Sequence, residues 1–176
     1  MNYFEFYAVP ESFDIDENLV KRKFYELSKT YHPDFYIAEP EEKQQEILEL
    51  STLNNKAYQV LSNPQKRLEY ILHLHGHALE GEKYQLPQDF LMEMMEVNEA
   101  LMELEMEPDE QVLASTLKQI EEIEADLKSD LSLLTTGFDT KDAASKETLL
   151  LRIKDIYYRQ KYLLRIRESL NKFASR

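Results

Sequence analysis

Tyr31-His32-Pro33-Asp34 divides the first half of the chain into two amphipathic segments. Ahead of it, four apolar residues recur at the spacing of one helical face: Val20, Phe24, Leu27 and Tyr31. Such a stripe predicts an amphipathic helix. Pro33 has no amide hydrogen and disfavours the helical region for the residue before it. The sequence therefore predicts that the helix closes here and that His32 and Asp34 lie on a stiff, solvent-facing loop.

A second helix is predicted from Pro40 to Ser62. Its predicted inner stripe consists of Ile47, Leu50, Asn54, Ala57 and Leu61. Because the connection is short and each helix has one apolar stripe, we expect the two helices to pack as an antiparallel pair. Turn chemistry alone leaves two interpretations of the loop between them. Either Asp34 bonds backbone amides and His32 packs, or both side chains serve an external contact.

The first of these helices carries a cluster of basic residues in an otherwise acidic protein. The cluster consists of Lys21, Arg22, Lys23 and Lys29. On composition alone these side chains are a solvated helix face.

Residues 76–86 are the one glycine-bearing, aperiodic stretch of any length, so we place the domain boundary there. The predicted organisation is all-α, with a first domain at 1–75 and a three-helix bundle at 87–176. His73, His75 and His77 flank the boundary, but spacing of two residues scatters side chains around a helix and no cysteine completes a ligand set. We therefore expect no metal site.

The bundle helices are predicted to begin at Pro87, at Pro108 and after Asp139 or Thr140. The predicted inward residues are Phe90, Met94, Val97, Leu101 and Leu104 in the first helix, Leu113, Leu117, Ile120, Ile123, Leu127, Leu131 and Leu134 in the second, and Leu149, Ile153, Ile156, Tyr157, Leu163, Leu164 and Leu170 in the third. Three such stripes are typical of a small antiparallel bundle.

A second apolar set on the first bundle helix is not needed for that core. At about 100° per residue, Leu91, Met92 and Met95 fall roughly 100° to 200° away from the inward stripe. Glu96, Glu99 and Glu103 lie beside them. Flexible methionines rimmed by carboxylates are typical of a protein-binding face, although methionine at helical spacing is more often core.

Tyr158 and Tyr162, four residues apart on the third bundle helix, are predicted to form an exposed aromatic pair on its outer side. An exposed pair of this kind favours the protein-binding interpretation of the bundle over a purely structural one.

Composition excludes several classes of function. The chain has 176 residues, 43% of them apolar, and no cysteine, so it can form a core but no disulfide or thiolate metal site. A net charge of −13 argues against nucleic-acid binding. Residues 80–110 hold eleven acids against one lysine, and residues 149–176 hold eight Lys or Arg against two acids, so we expect pairing between these segments. No signal peptide or membrane span is evident, and we expect a soluble cytoplasmic protein.

The ordered motifs of residues 3–72 resemble the J-domain of DnaJ-class co-chaperones. The matching residues are Tyr3-Phe4, then Leu27-x-x-x-Tyr31-His32-Pro33-Asp34, then Asn55-Lys56-Ala57-Tyr58-x-x-Leu61-x-x-Pro64-x-x-Arg67-x-x-Tyr70. The resemblance maps the family's invariant tripeptide onto His32, Pro33 and Asp34. It implies that the loop docks on a DnaK-type chaperone, with the basic cluster steering the encounter.

The whole chain, a J-domain followed by an acidic three-helix bundle, is similar to HscB-type co-chaperones. The resemblance rests on Phe90-Leu91-Met92-Glu93 with the acids that follow. It implies that the bundle binds the iron–sulfur scaffold IscU and that the J-domain stimulates the ATPase of a HscA-type chaperone. The implied scaffold contacts are Leu91, Met92, Met95, Glu96, Glu99, Glu103 and Tyr158.

Two positions depart from the usual J-domain pattern. Phe35 stands where a lysine is common, and Asn54 stands where an aliphatic residue is common. A J-domain adaptor for a different client stays open as an alternative. An enzyme using His32 and Asp34 as an acid–base pair is disfavoured, because the sequence has no phosphate loop or nucleophile motif. We expect a monomeric adaptor without cofactors.

Overall fold

The computed structural model of the protein describes residues 1–175 and contains, within them, seven α-helices, two short 3₁₀ turns and no strand. The helices are α1 (Tyr3–Phe6), α2 (Glu17–Thr30), α3 (Glu41–Leu61), α4 (Pro64–Leu74), α5 (Gln88–Met106), α6 (Glu110–Thr135) and α7 (Ala143–Ala174). The 3₁₀ turns span Pro33–Tyr36 and Phe138–Thr140. The predicted all-α class is therefore confirmed. No helix within the described residues is long and apolar enough to cross a bilayer.

Side-chain caps set most helix starts. The Asp16 carboxylate accepts from the amide of Asn18 at 2.9 Å and so caps α2. Asn63 accepts two amide bonds at the start of α4, where Pro64 takes the first helical position. Because residues 138–140 form a 3₁₀ turn, α7 begins a little later than predicted, with Asp142 as its cap.

Contacts divide the chain into two compact units. Unit 1 comprises residues 1–78 and 136–141, and unit 2 comprises residues 79–135 and the chain from 142 onward. Phe138, in the second segment of unit 1, is 1% exposed and meets the ring of Phe13 edge-on at 4.9 Å. Residues 136–141 thus group with unit 1, although the sequence predicts that they belong to the bundle. The boundary at 76–86 stays a proposal.

The α2–α3 hairpin of unit 1 is held by a buried polar network as well as by apolar packing. Phe24 stacks on Tyr58 at 4.3 Å. The buried Asn54 amide donates to the carbonyl of Phe24 and to the hydroxyl of Ser28, both at 3.1 Å. The hydroxyl of Tyr7 donates to Asn54 Oδ1 at 2.9 Å. Burial, and secondarily the nearby Tyr58, raises the pKa of Tyr7, so its donor proton is retained. The Asn54 side chain, which belongs to α3, thus connects this helix to α2 and to Tyr7, the residue after α1.

Tyr7→Phe removes one hydroxyl from this network and nothing else. We expect it to lower the free energy of unfolding by about 1–2 kcal/mol, because a buried acceptor on Asn54 loses its donor. Urea denaturation followed by circular dichroism measures the change. Tyr25→Phe is the matched control, since Tyr25 is exposed, and it should leave stability within about 0.5 kcal/mol of the parent. Equal stability of both variants would contradict a stabilising role for the network.

Arg67, one of the motif positions quoted above, is buried in unit 1 and caps the carboxyl end of α3. It is 4% exposed, its Nε donates to the carbonyl of Phe13 at 2.9 Å and its Nη1 donates to the carbonyl of Leu61 at 2.6 Å. Burial lowers the pKa of Arg67, and the nearby carboxylates of Glu17 and Asp14 oppose that shift. The guanidinium therefore satisfies carbonyls that would otherwise be buried without donors.

Unit 2 is the predicted three-helix bundle of α5, α6 and α7. Short connections force neighbouring helices to run antiparallel. The fully buried large side chains at its centre are Phe90, Met94, Ile120, Leu150, Ile153 and Leu163. The predicted stripes of α5 and α6 are buried or half-buried throughout. In α7 the prediction for Leu164 is wrong, because that side chain is 57% exposed, while Leu150 and Ile166 are buried instead.

Candidate functional site

The tripeptide lies at the exposed end of the hairpin and is fixed by local geometry. Tyr31 caps α2, and Pro33 opens the 3₁₀ turn. The amide of Asp34 donates to His32 Nδ1 at 3.3 Å, which leaves Nε2 as the donor of the imidazole. His32 Nδ1 and Asp34 Oδ2 lie 3.7 Å apart, beyond hydrogen-bond range. All three residues are exposed, so the solvent-facing position agrees with the prediction, and the predicted stiff loop takes the form of a 3₁₀ turn.

A hydrogen bond to α2 makes this turn rigid. The hydroxyl of Tyr36, at the last position of the turn, donates to the carbonyl of Thr30 at 2.7 Å. Thr30 is the final residue of α2, so the turn is tied back onto the helix that leads into it. The backbone at His32 and Asp34 is therefore restrained before a partner binds, which lowers the entropy cost of binding through them.

The predicted basic cluster lies on the solvent side of α2. Lys21, Arg22 and Lys29 are exposed and form no ion pair with any described residue. Lys23 is half-buried and approaches Glu26 at 4.0 Å, a weak surface pair. The positive charge of this face is therefore largely available to an acidic surface.

The second apolar set on α5 is exposed, as predicted. Met92 is 62% exposed and Met95 is 57% exposed, while Leu91 is less open at 39%. Inward-facing Phe90 and Met94 on the same helix are buried. The helix therefore has two distinct apolar faces, of which the bundle uses one.

The carboxylates beside this face are not neutralised within the bundle. Glu96, Glu99 and Glu103 are exposed, and no Lys or Arg among residues 1–175 pairs with them. Glu96 only accepts a long 3.5 Å hydrogen bond from Gln119. The expected pairing between the acidic and basic segments is correspondingly limited. Lys154 pairs with Glu82 of the acidic segment, whereas Arg159 pairs with Asp155 of its own helix and Arg167 pairs with Glu124 of α6.

Sequence reasoning missed two further methionines on this face. Met102 and Met106 are 65% and 89% exposed. At about 100° per residue they fall roughly 120° and 160° from Phe90, in the same sector as Leu91 and Met95. Extending the helical projection to the end of α5 would have found them. We call the combined set of Leu91, Met92, Met95, Met102 and Met106 the methionine face.

The tyrosine pair on α7 is less open than predicted, and this expectation is wrong. Tyr158 is half-buried, because its ring stacks on Tyr84 at 4.5 Å and its hydroxyl donates to Glu82 at 3.0 Å. Tyr162 is half-buried too, accepting from Asn98 at 2.9 Å. Tyr84 and Glu82, which cover Tyr158, belong to the stretch 76–86 that the sequence predicts as the domain boundary. A client contact at Tyr158 stays a prediction.

The histidines near the boundary have partners within the protein. His73 Nε2 donates to the carbonyl of Ala78 at 2.8 Å. His75 Nε2 lies 2.5 Å from a carboxylate oxygen of Glu11, and its ring meets Phe138 edge-on. Residues 1–175 contain no group of three or more His, Cys, Asp or Glu arranged to hold a metal ion.

Two family models match the chain, and they define it as a J-domain protein with a specialised second domain. The DnaJ domain model matches residues 2–70. The model described as the HSCB C-terminal oligomerisation domain matches residues 86–171. The first match contains the tripeptide and the basic cluster, and the second contains the methionine face and its carboxylates.

Solved structures with the same architecture span nearly the whole chain. The chaperone HscB from Vibrio cholerae is 24% identical with a TM-score of 0.67, the match covering 99% of this chain and 98% of that one. The human co-chaperone protein HscB is 27% identical with a TM-score of 0.66, covering 97% of this chain and 81% of that one. The chain belongs to the HscB-type J-domain co-chaperones. The family acts in iron–sulfur cluster assembly, as partners of a DnaK-type chaperone rather than as enzymes.

Proposed function

We propose that this protein stimulates the ATPase of a DnaK/HscA-type chaperone through its J-domain and delivers an IscU-type iron–sulfur scaffold bound by its bundle. It acts as a monomeric, cytoplasmic adaptor without a cofactor of its own. The observation that carries the proposal is the pair of exposed surfaces, one in each unit, that neither unit needs for its core. These are the His32-Pro33-Asp34 turn and the methionine face with its unpaired carboxylates.

The two surfaces have complementary tasks. Lys21, Arg22 and Lys29 steer the encounter with an acidic chaperone surface, and Asp34 then accepts charge-assisted hydrogen bonds in the docked complex. The ATP chemistry takes place in the partner. On unit 2, the methionine face supplies adaptable apolar contact, and Glu96, Glu99 and Glu103 select a basic partner surface.

A single-turnover ATPase assay with each component omitted in turn tests the proposal. The chaperone alone should hydrolyse ATP slowly, addition of this protein should accelerate it, and the scaffold should increase the acceleration further. This protein without chaperone should show no turnover. Turnover by the isolated chain would favour the enzyme interpretation, and a scaffold without effect would favour a different client.

A further inference from the structure

Two large apolar side chains are exposed directly beside the tripeptide. Phe35 is 74% exposed and Ile37 is 72% exposed. We call these two residues the apolar tip. Isolated apolar residues on a surface are ordinary, but two this open within three positions, in the segment that follows the tripeptide, expose apolar area that a bound partner would remove from water.

The apolar tip is held rigidly rather than carried on a loose loop. The amide of Phe35 donates to the carbonyl of His32 at 3.1 Å. Gln44, in α3, donates through Nε2 to the carbonyls of Ile37 and Glu39 at 3.2 Å and 2.8 Å. The backbone that carries Phe35 and Ile37 is thus bonded within the turn and to α3, and the Tyr36 hydroxyl ties the same turn to α2. A partner that covers these side chains therefore loses little free energy in ordering the backbone beneath them.

Packing within unit 1 does not explain why Phe35 and Ile37 are apolar. Tyr36, between them, is the residue that packs and bonds back to α2, and it is half-buried. Phe35 and Ile37 are both exposed, and neither belongs to the buried core. Replacing them by polar residues should therefore cost the unit little stability, so their apolar character points to a use outside the chain.

The position of the tip identifies its occupant. The ring of Phe35 lies 5.7 Å from the imidazole of His32, centroid to centroid, at an angle of 59°. A protein surface that contacts His32 also meets this ring. We propose that the apolar tip is a specificity-determining part of the chaperone contact, filling an apolar pocket beside the groups that receive His32 and Asp34. This inference rests on the proposed function.

The tip and the basic cluster then contribute different parts of the same binding reaction. Charges on Lys21, Arg22 and Lys29 act over distances near the Debye length and raise the association rate, an effect that salt screens. Apolar burial at Phe35 and Ile37 acts only in contact and slows dissociation. Loss of the tip should therefore weaken binding at all salt concentrations, and loss of the cluster mainly at low salt.

Phe35→Ser and Ile37→Ser, made separately in the full chain, test the inference against a purified HscA-type chaperone loaded with ATP. We expect each to raise the concentration for half-maximal ATPase stimulation about five-fold or more, at low and high salt, with the maximal rate retained. Ile37→Ser separates apolar contact from placement of the imidazole, because Phe35 is the residue whose ring contacts His32. Leu79→Ser is the control, being 50% exposed and outside unit 1, and should leave stimulation unchanged.

The possible failures are distinguishable. Absence of stimulation by the parent protein would remove the proposed function and this inference with it. Normal stimulation by the parent and by both serine variants at the same half-maximal concentration would overturn the inference alone. The parent protein could instead self-associate in sedimentation experiments, with both variants abolishing that association and leaving stimulation unchanged. That result would assign the tip to a contact with a second copy of this chain and would also overturn the inference.

Discussion

The Asp34→Asn variant is expected to lose ATPase stimulation by at least about 20-fold while keeping its fold. Asparagine has the same shape but no charge, and bonds to a charged acceptor are roughly twice as strong as neutral ones. The side chain is exposed, and the amide of residue 34 still donates to His32 Nδ1 in the variant. Single-turnover ATP hydrolysis by the chaperone measures the loss.

Glu42→Gln is the matched control for this experiment. Glu42 is an exposed carboxylate in the first turn of α3, so its replacement removes one charge from the same unit without touching the turn. It should stimulate like the parent, and both variants should melt within a few degrees of it. Full stimulation by Asp34→Asn would show that the tripeptide does not act through its carboxylate.

The Met92→Ala and Glu96→Ala variants are expected to weaken binding of a purified IscU-type scaffold by about 1–3 kcal/mol each, or roughly 5- to 150-fold in affinity. Met92 is largely exposed, so truncation removes contact area without opening a cavity in the bundle. Glu96 pairs with no cation among residues 1–175, so the effect of its replacement on affinity reports on the partner. Isothermal titration of scaffold into the full chain measures both.

Two controls accompany these variants. Leu151→Ala removes a similar exposed apolar side chain from α7, and Glu122→Ala removes an exposed carboxylate from α6. Neither should change scaffold affinity. Stimulation of the chaperone in the absence of scaffold should stay at the parent level in all four proteins. Failure of the parent protein to bind the scaffold would indicate that the methionine face binds a different client.

Local chemistry was sufficient to predict the parts of the fold that depend on neighbours in sequence. Pro33 determines where α2 ends, as predicted, and Asp16 and Asn63, whose side chains favour helix starts, cap α2 and α4. The division of α5 into an inward and an outward face follows from helical periodicity, and Met94 and Met92 obey it with opposite burial.

The errors arise where distant segments meet. Tyr158 is half-buried because Tyr84, more than seventy residues earlier, stacks on it, and no periodicity within α7 reports that contact. Phe138 packs against Phe13 in the first unit, across an even longer separation. The error at Leu164 has a different cause. In the 32-residue helix α7, a small difference between the assumed and the actual helical period adds up along the helix, so the predicted inward direction is about one position off at Leu164. Pattern analysis of one segment cannot supply such long-range information.

The polar network around Asn54 has a consequence for how precisely the tripeptide is placed. An all-apolar seam between α2 and α3 tolerates sliding, because one aliphatic contact replaces another at similar cost. A one-turn slip here would leave the Asn54 amide, the Tyr7 hydroxyl and the Phe24 carbonyl buried without partners. The hairpin therefore has a single low-energy register, as a lone asparagine enforces in coiled coils, and the turn at its end inherits that uniqueness of position.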